Sequence, residues 1–154
     1  SISLDEPKAH LKRGFDDAKA AQTELYRVID QFTSAAVSKL VTIGMLDRAV
    51  GDQITQAAEA NLKIDFFGEY VEPKTLPEVM AAAQTLNQKS TAFSSHSKIV
   101  VTRLQNALGA LSALIDRRDI VNLLQDFASP IGPQRADGQP WADSLGDRTG
   151  RRLG

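Results

Sequence analysis

Apolar residues recur at alternating steps of four and three along the first segment of the chain. Seven of the nine seam positions within residues 4–32 are apolar, and the exceptions are Lys8 and Gln22. This period places the apolar side chains along one stripe of an α-helix. The pattern therefore predicts one long helix, with Ser3 as its N-cap because Glu6 follows at the capping-box spacing.

A second apolar face follows over about residues 34–61 and contains Gly44 and Gly51, one heptad apart. Glycine interrupts a helix or allows another helix backbone to approach closely. We expect an interrupted helix here, with a break near Met45.

The third helix has a well-marked start, because Thr75 and Glu78 form another capping-box pair. Its four-three rhythm continues as far as Leu114 and crosses the polar cluster at residues 94–97. We therefore expect a continuous or merely kinked helix of about forty residues, roughly 60 Å long. Asp119 could cap a short final helix.

Residues 62–74 change character, because apolar and charged residues alternate before Gly68 offers a turn. The segment is expected to form a small hairpin or an extended crossover. Its aromatic residues Phe66, Phe67 and Tyr70 have two interpretations: a hydrophobic plug that closes one end of the bundle, or a subunit contact.

The composition shifts again at residue 129, after which proline and glycine are frequent and large apolar residues are few. Such a segment cannot form a core of its own. Trp141 and Leu145 are four residues apart, so one helical turn would place both on one side as an anchor. The arm either folds back on its own bundle or docks on a neighbouring subunit. In the second case its polar rim would be formed by Arg148, Arg151 and Arg152.

These patterns together predict an all-α fold, an elongated antiparallel bundle of three to four helices with a short extended or hairpin crossover near residues 62–74. We assign residues 1–128 to the helical bundle domain and residues 129–154 to an extended C-terminal arm rich in proline and glycine. A length of 154 residues suits one such bundle.

Composition argues against most kinds of chemistry. The chain has no cysteine, and its only histidines are His10 and His96, so thiolate zinc sites and cysteine nucleophiles are excluded. His96 lies among serines, but the adjacent Ser95 and Ser97 would not share its face of a helix. No phosphate-binding glycine pattern or zinc-protease motif occurs. We expect no enzymatic activity, no cofactor and no metal.

Charge is nearly balanced, with 18 basic and 19 acidic side chains. No segment has the dense positive charge of a phosphate-dominated binder. Arg103, Arg117 and Arg118 are candidate nucleic-acid contacts if many copies are arrayed, and ordinary surface residues otherwise. No apolar run is long enough to cross a membrane, and no signal-peptide pattern opens the chain.

A helical body with an extended arm is typical of subunits that join into closed or filamentous assemblies. The leading hypothesis is a non-enzymatic structural subunit of a virion: a coat, head–tail connector or internal protein of a phage or rod-shaped virus. Its partners would be copies of itself and other structural subunits, in the virion or the host cytoplasm. The alternative is a cytosolic helical adaptor or secretion chaperone that binds a partner helix.

Overall fold

The computed structural model describes residues 3–113 and 117–131, and the side chains of residues 3–109 and 121–131. Within these residues the chain forms four α-helices and no strand, which confirms the all-α bundle. The helices are α1 (Asp5–Thr42), α2 (Arg48–Asn61), α3 (Leu76–Ala113) and α4 (Arg117–Phe127).

Helix α1 is longer than the sequence pattern indicated, because it continues without a break through residues 32–34 to Thr42. The expected interruption is a turn at residues 43–47, where Gly44 has a φ of 77° that favours glycine. At the other end Leu4, not Ser3, occupies the N-cap position. The Ser3 hydroxyl still accepts a hydrogen bond, at 3.3 Å, from the Asp5 N–H.

Helix α3 is continuous through the serine cluster, and Ser97 donates a hydrogen bond to the carbonyl oxygen of Ser94 at 3.0 Å. Its start has the expected capping contacts. The Glu78 N–H donates to the Thr75 hydroxyl at 3.3 Å, and the Glu78 carboxylate accepts from the Lys74 N–H at 2.7 Å. Helix α4 begins at Arg117, so Asp119 lies inside it rather than at its cap.

Consecutive helices form two antiparallel hairpins, α1–α2 and α3–α4. Gly51 of α2 lies so close to α1 that a Cβ there would meet Val37 at 2.8 Å. The two long helices, each 38 residues and about 57 Å long, lie side by side and parallel. This direction follows from their contacts, because Gly14 lies against Leu86 and Ile29 against Val100.

Two of the three core clusters lie in the upper half of the long helices, which is their C-terminal half, where all four helices meet. One cluster joins α1 to α2 and α4, and a second joins α1 and α3 to the end of α4. Below these two clusters, residues 62–75 form an extended crossover that descends along α1 and α3, with no strand. The long-helix pair is therefore covered on one side by α2, α4 and the crossover, and no other element among the described residues covers its other side, which is called the uncovered side below.

Candidate interaction surface

The aromatic residues of the crossover lie in the chain's own core. Phe66 is 8% and Phe67 is 2% exposed, and both rings pack on Phe93 with centroids 5.6 and 5.7 Å apart. Tyr70 is half-buried against Phe15, with ring centroids 5.2 Å apart. Phe66 and Phe67 are therefore covered within the protomer, against Ala92 and Phe93 in the middle of α3.

Asp65 is the centre of a polar clamp that attaches the crossover to α1. Its carboxylate accepts hydrogen bonds from the Gln22 amide at 3.1 Å and from the Phe67 and Gly68 N–H groups at 3.1 and 3.2 Å. The Lys19 ammonium lies 3.2 Å from the same carboxylate and also donates to the Gly68 carbonyl. The Gln22 side chain in turn accepts from the Phe66 N–H at 2.8 Å. Gln22 was an exception in the apolar seam, and this clamp is its structural role.

The clamp fixes the charge state of Asp65. Partial desolvation by itself would raise the pKa of Asp65, but the hydrogen bonds from Gln22, Phe67, Gly68 and Lys19 outweigh it and lower the pKa to about 2. One turn further along α1, the Tyr26 hydroxyl donates to the Ile64 carbonyl oxygen at 2.5 Å. Burial, and then the negative charge of Asp65, raise the pKa of Tyr26.

A second clamp fixes the point where the chain leaves α4. The buried Asn61 side chain donates to the Ser129 carbonyl oxygen at 3.0 Å and accepts from the Ile131 N–H at 2.9 Å. Arg103 of α3 donates to the same Ser129 oxygen at 2.9 Å. These bonds join the ends of α2 and α4 to α3, so the arm starts from a fixed place.

His96 is the only histidine in the core and is fully buried. The Phe66 ring is 5.0 Å and the Tyr26 ring 6.3 Å from the imidazole, centroid to centroid. Neither ring nitrogen has a hydrogen-bond partner within the described part of the chain. Burial, and then the positive charge of Arg103, lower the pKa of His96 to about 4, so the ring is neutral near pH 7. A neutral, enclosed imidazole of this kind is a core residue.

The structure places the other sequence-predicted site residues as follows. Arg103 is half-buried and hydrogen-bonded within the protomer. Arg117 and Arg118 lie in the first turn of α4, and their side chains are outside the described part. The arm residues named as contacts all lie outside the described residues: Trp141, Leu145, Arg148, Arg151 and Arg152.

The exposed surface of α3 differs sharply in charge from that of α1. Of the 19 exposed residues from Leu76 to Gly109, only Glu78 and Lys98 are charged. Of the 22 exposed residues of α1, 10 are charged. The sequence from residue 79 to 115 contains no Asp or Glu at all. Sequence reasoning missed this signal, although the run without acidic residues could be read directly.

Several large apolar side chains are exposed on the uncovered side of the long-helix pair. They are Val28 of α1 (41%) and, on α3, Leu76 (46%), Met80 (65%), Val101 (39%) and Leu108 (46%). Two further exposed apolar side chains lie elsewhere, Ile43 in the turn after α1 and Val71 in the crossover. A groove of about 510 Å³ follows the lower part of the same side. Pro7, Leu11 and Gly14 of α1 line one wall, and Val79, Ala83 and Leu86 of α3 line the other. This side is therefore both apolar and grooved.

No family model, no curated protein and no solved structure matches this chain. None of the helices in the described residues is long and apolar enough to cross a membrane. Within the same residues no group of three or more His, Asp or Glu side chains could hold a metal ion. The uncovered side of the long-helix pair is the strongest candidate site on the described surface.

Proposed function

We propose that this protein is a non-enzymatic structural subunit that assembles with copies of itself through the exposed, charge-poor surface of its long helix α3. Within that class we propose a virion component: a coat, head–tail connector or internal protein. The proposal is supported chiefly by one observation: almost none of the exposed residues of α3 is charged.

Charge depletion supports an interface because burying an unpaired charge costs far more than burying apolar groups or polar groups that find hydrogen-bond partners. A helix that faces only water normally carries charged residues over its outer positions. Helix α1 does so, since 10 of its 22 exposed residues are charged, and α3 does not. The two helices are neighbours of equal length in one molecule, so the contrast belongs to α3 itself.

The arm supports an assembly role as a second, independent contact. The clamp at Asn61 starts the arm from a buried, hydrogen-bonded Ile131. The 23 residues that follow include Trp141, the only tryptophan, and a cluster of arginines near the end of the sequence. Tryptophan and arginine frequently dominate the binding energy of interfaces. An arm with these residues can join one subunit to the next in a ring, shell or filament.

A second candidate function is a helical adaptor or secretion chaperone. The groove between α1 and α3 favours it, because an apolar channel between two helices accepts the apolar face of a third. The groove and the exposed, charge-poor surface of α3 share Ala83 and Asn87. The two candidate functions therefore use the same surface and differ in what binds there: a second copy of this chain or the helix of another protein.

Light scattering combined with electron microscopy of the purified full chain tests the proposal. We expect large, defined oligomers or filaments, and we expect removal of residues 132–154 to abolish the larger species while the helix content is retained. A protein that stays monomeric and recovers one dominant foreign partner from its native source would instead support the adaptor. In that case substitution of Trp141 by alanine would leave binding unchanged.

Contact with nucleic acid is a separate prediction within the virion proposal. Particles should then contain co-purified nucleic acid that added salt releases, because phosphate contacts weaken steeply with salt. The double variant Arg117→Ala and Arg118→Ala should reduce the bound nucleic acid. An unchanged ultraviolet absorbance ratio in that variant would contradict direct contact through α4.

A further inference from the structure

The exposed stripe of α3 has the same chemical pattern in both directions along the helix. The exposed Leu76, Met80 and Ala83 occupy one end, and the exposed Val101 and Leu108 occupy the other. Small serines fill the middle, with the exposed Ser94 and the half-buried Ser90 at its centre. The stripe is therefore apolar at each end and small and polar between the ends.

This pattern matches itself when two copies of α3 are placed antiparallel about Ala92. Leu76 and Leu108 are each 16 residues from Ala92, so Leu76 of one copy lies opposite Leu108 of the other copy, and the reverse contact forms at the other end. Ala83 and Val101, each nine residues away, meet in the same way. Ser90 meets Ser94, and small residues at a crossing point allow two helices to approach closely.

We infer that the α3 stripe is an isologous interface in which a second copy of this chain packs antiparallel on the first. The inference deepens the proposed assembly function and rests on it. An isologous contact uses one surface twice, so self-complementarity is the property that it requires.

The charges favour the antiparallel register over the parallel one. Lys98 is the only charged residue among the exposed positions from Val79 to Gly109. In the antiparallel register about Ala92 the two Lys98 residues are 12 positions apart, about 18 Å along the axis. This distance exceeds the Debye length of about 8 Å at physiological salt, so their repulsion is screened. A parallel pairing would place the two ammonium groups side by side.

The size of the stripe fits a small specific interface. From Leu76 to Leu108 it covers 33 residues, about 48 Å of helix. With a helix about 10 Å wide, each copy contributes roughly 500 Å², or about 1,000 Å² for the pair. Specific interfaces begin near this total area. We therefore expect a reversible dimer, which the arm or other contacts extend into larger assemblies.

Opposite charges placed at the two ends of the stripe test both the surface and the register. Leu76→Glu suits the helix dipole at the start of α3, and both Leu76 and Leu108 are exposed, so Leu76→Glu and Leu108→Lys should both fold. Each single variant should weaken self-association by at least about tenfold, because a charge then faces an apolar side chain. The double variant should restore association to within about threefold of the original, because the introduced carboxylate of each copy then faces the introduced ammonium group of the other.

The matched control is Gln88→Glu, which adds an acidic side chain to an exposed position of α3 outside the stripe. It should leave the dissociation constant unchanged. Circular dichroism of every variant should show the original helix content. Loss of association in the double variant, greater than in either single variant, would overturn the antiparallel register.

Disulfide trapping in the full chain gives an independent measurement, since the chain has no cysteine of its own. The double variant Ala83→Cys and Val101→Cys should form a covalent dimer on mild oxidation, because these positions meet across the axis. Ala83→Cys alone should not, since its mate would be 18 positions, about 27 Å, away. A disulfide needs Cα atoms within about 7 Å.

The outcomes separate this inference from the proposed function. The α3 interface would be wrong, and the assembly function would stand, if both leucine substitutions leave the oligomers unchanged and the cysteine variant gives no covalent dimer. A chain that is monomeric at every concentration would overturn both. Rescue by the double variant together with selective trapping would establish the surface and its register.

Discussion

The buried imidazole of His96 makes the stability of the protein depend on pH in a defined window. In the folded protein burial, and then the charge of Arg103, lower the pKa from 6.5 to about 4. In the unfolded chain the ring is exposed and titrates near its ordinary pKa of about 6.5. Between these values the unfolded state binds a proton that the folded state excludes. The free energy of unfolding therefore falls as the pH falls through this window.

The size of the effect follows from the two pKa values. Proton linkage at one site gives a loss of about 2 kcal/mol at pH 5 and about 3 kcal/mol at pH 4, relative to pH 7. Below pH 4 the loss levels off, because the folded state is then protonated as well. His96 is fully buried, so solvent screening does not reduce this figure. The Asp65 carboxylate, with a pKa of about 2, stays ionised in this window and keeps its hydrogen bonds.

Urea unfolding at a series of pH values, followed by circular dichroism, measures the effect in the original chain and in His96→Leu. The variant removes the titrating ring and its two unpaired nitrogens while keeping an apolar side chain in the core. The difference in unfolding free energy between the two proteins should grow by about 3 kcal/mol from pH 7 to pH 4. His10→Gln, at an exposed position, is the matched control and should follow the original chain.

A difference that stays constant from pH 7 to pH 4 would contradict the lowered pKa of His96 in the folded protein. It would mean that His96 titrates alike in the folded and unfolded states, and hence that its ring is hydrated in the folded protein. If the two curves of unfolding free energy against pH differ only by a constant offset, the meaning is the same.

Three further substitutions test the packing and the clamps by urea unfolding. Gln22→Ala should cost about 1–3 kcal/mol, because it leaves the buried Phe66 N–H without its acceptor; an unchanged midpoint would contradict the clamp. Asn61→Ala should cost a similar amount and should also expose the chain after α4 to protease. Gly51→Ala should destabilise by about 1–3 kcal/mol, since its Cβ would overlap Val37 on α1. The control Gly109→Ala, with nothing within 4 Å, should stabilise by up to about 1 kcal/mol. Equal changes in the free energy of unfolding for Gly51→Ala and Gly109→Ala would contradict the close approach of α2 to α1.

The long helices were predictable because their apolar seams repeat over many turns. The start of α3 was equally clear, and Thr75 and Glu78 make the capping contacts that their spacing indicated. The end of α1 was less clear, because a glycine marks a turn only when the tertiary structure requires a positive φ. Gly44 does so at 77°, whereas Gly51 serves close packing inside α2.

The direction of the long helices relative to each other could not be derived from periodicity. An apolar stripe specifies which face is buried but not which neighbour covers it. Here the extended crossover returns the chain to the lower end of α1, so α3 starts beside it and runs parallel. The polar contacts of Asp65 that hold this path join residues more than 40 positions apart in sequence, beyond any local pattern.

The candidate surface was only partly visible in the sequence. Phe66 and Phe67 were named both as a plug and as a contact, and their burial depends on Phe93 and Ala92 from another helix. The charge-poor run in α3 was readable, but its meaning required the exposure of those positions. An uncharged helix in a core and an uncharged helix at an interface have similar compositions, and burial alone separates them.

Self-assembly of this protein is measured most directly by the native mass of the full chain over a range of concentrations. Analytical ultracentrifugation, with fluorescence detection at the lowest concentrations, should find species at multiples of 16.7 kDa whose populations grow with concentration. A single species of 16.7 kDa from nanomolar to millimolar protein would contradict the account, because the uncovered side of α3 would then face only water.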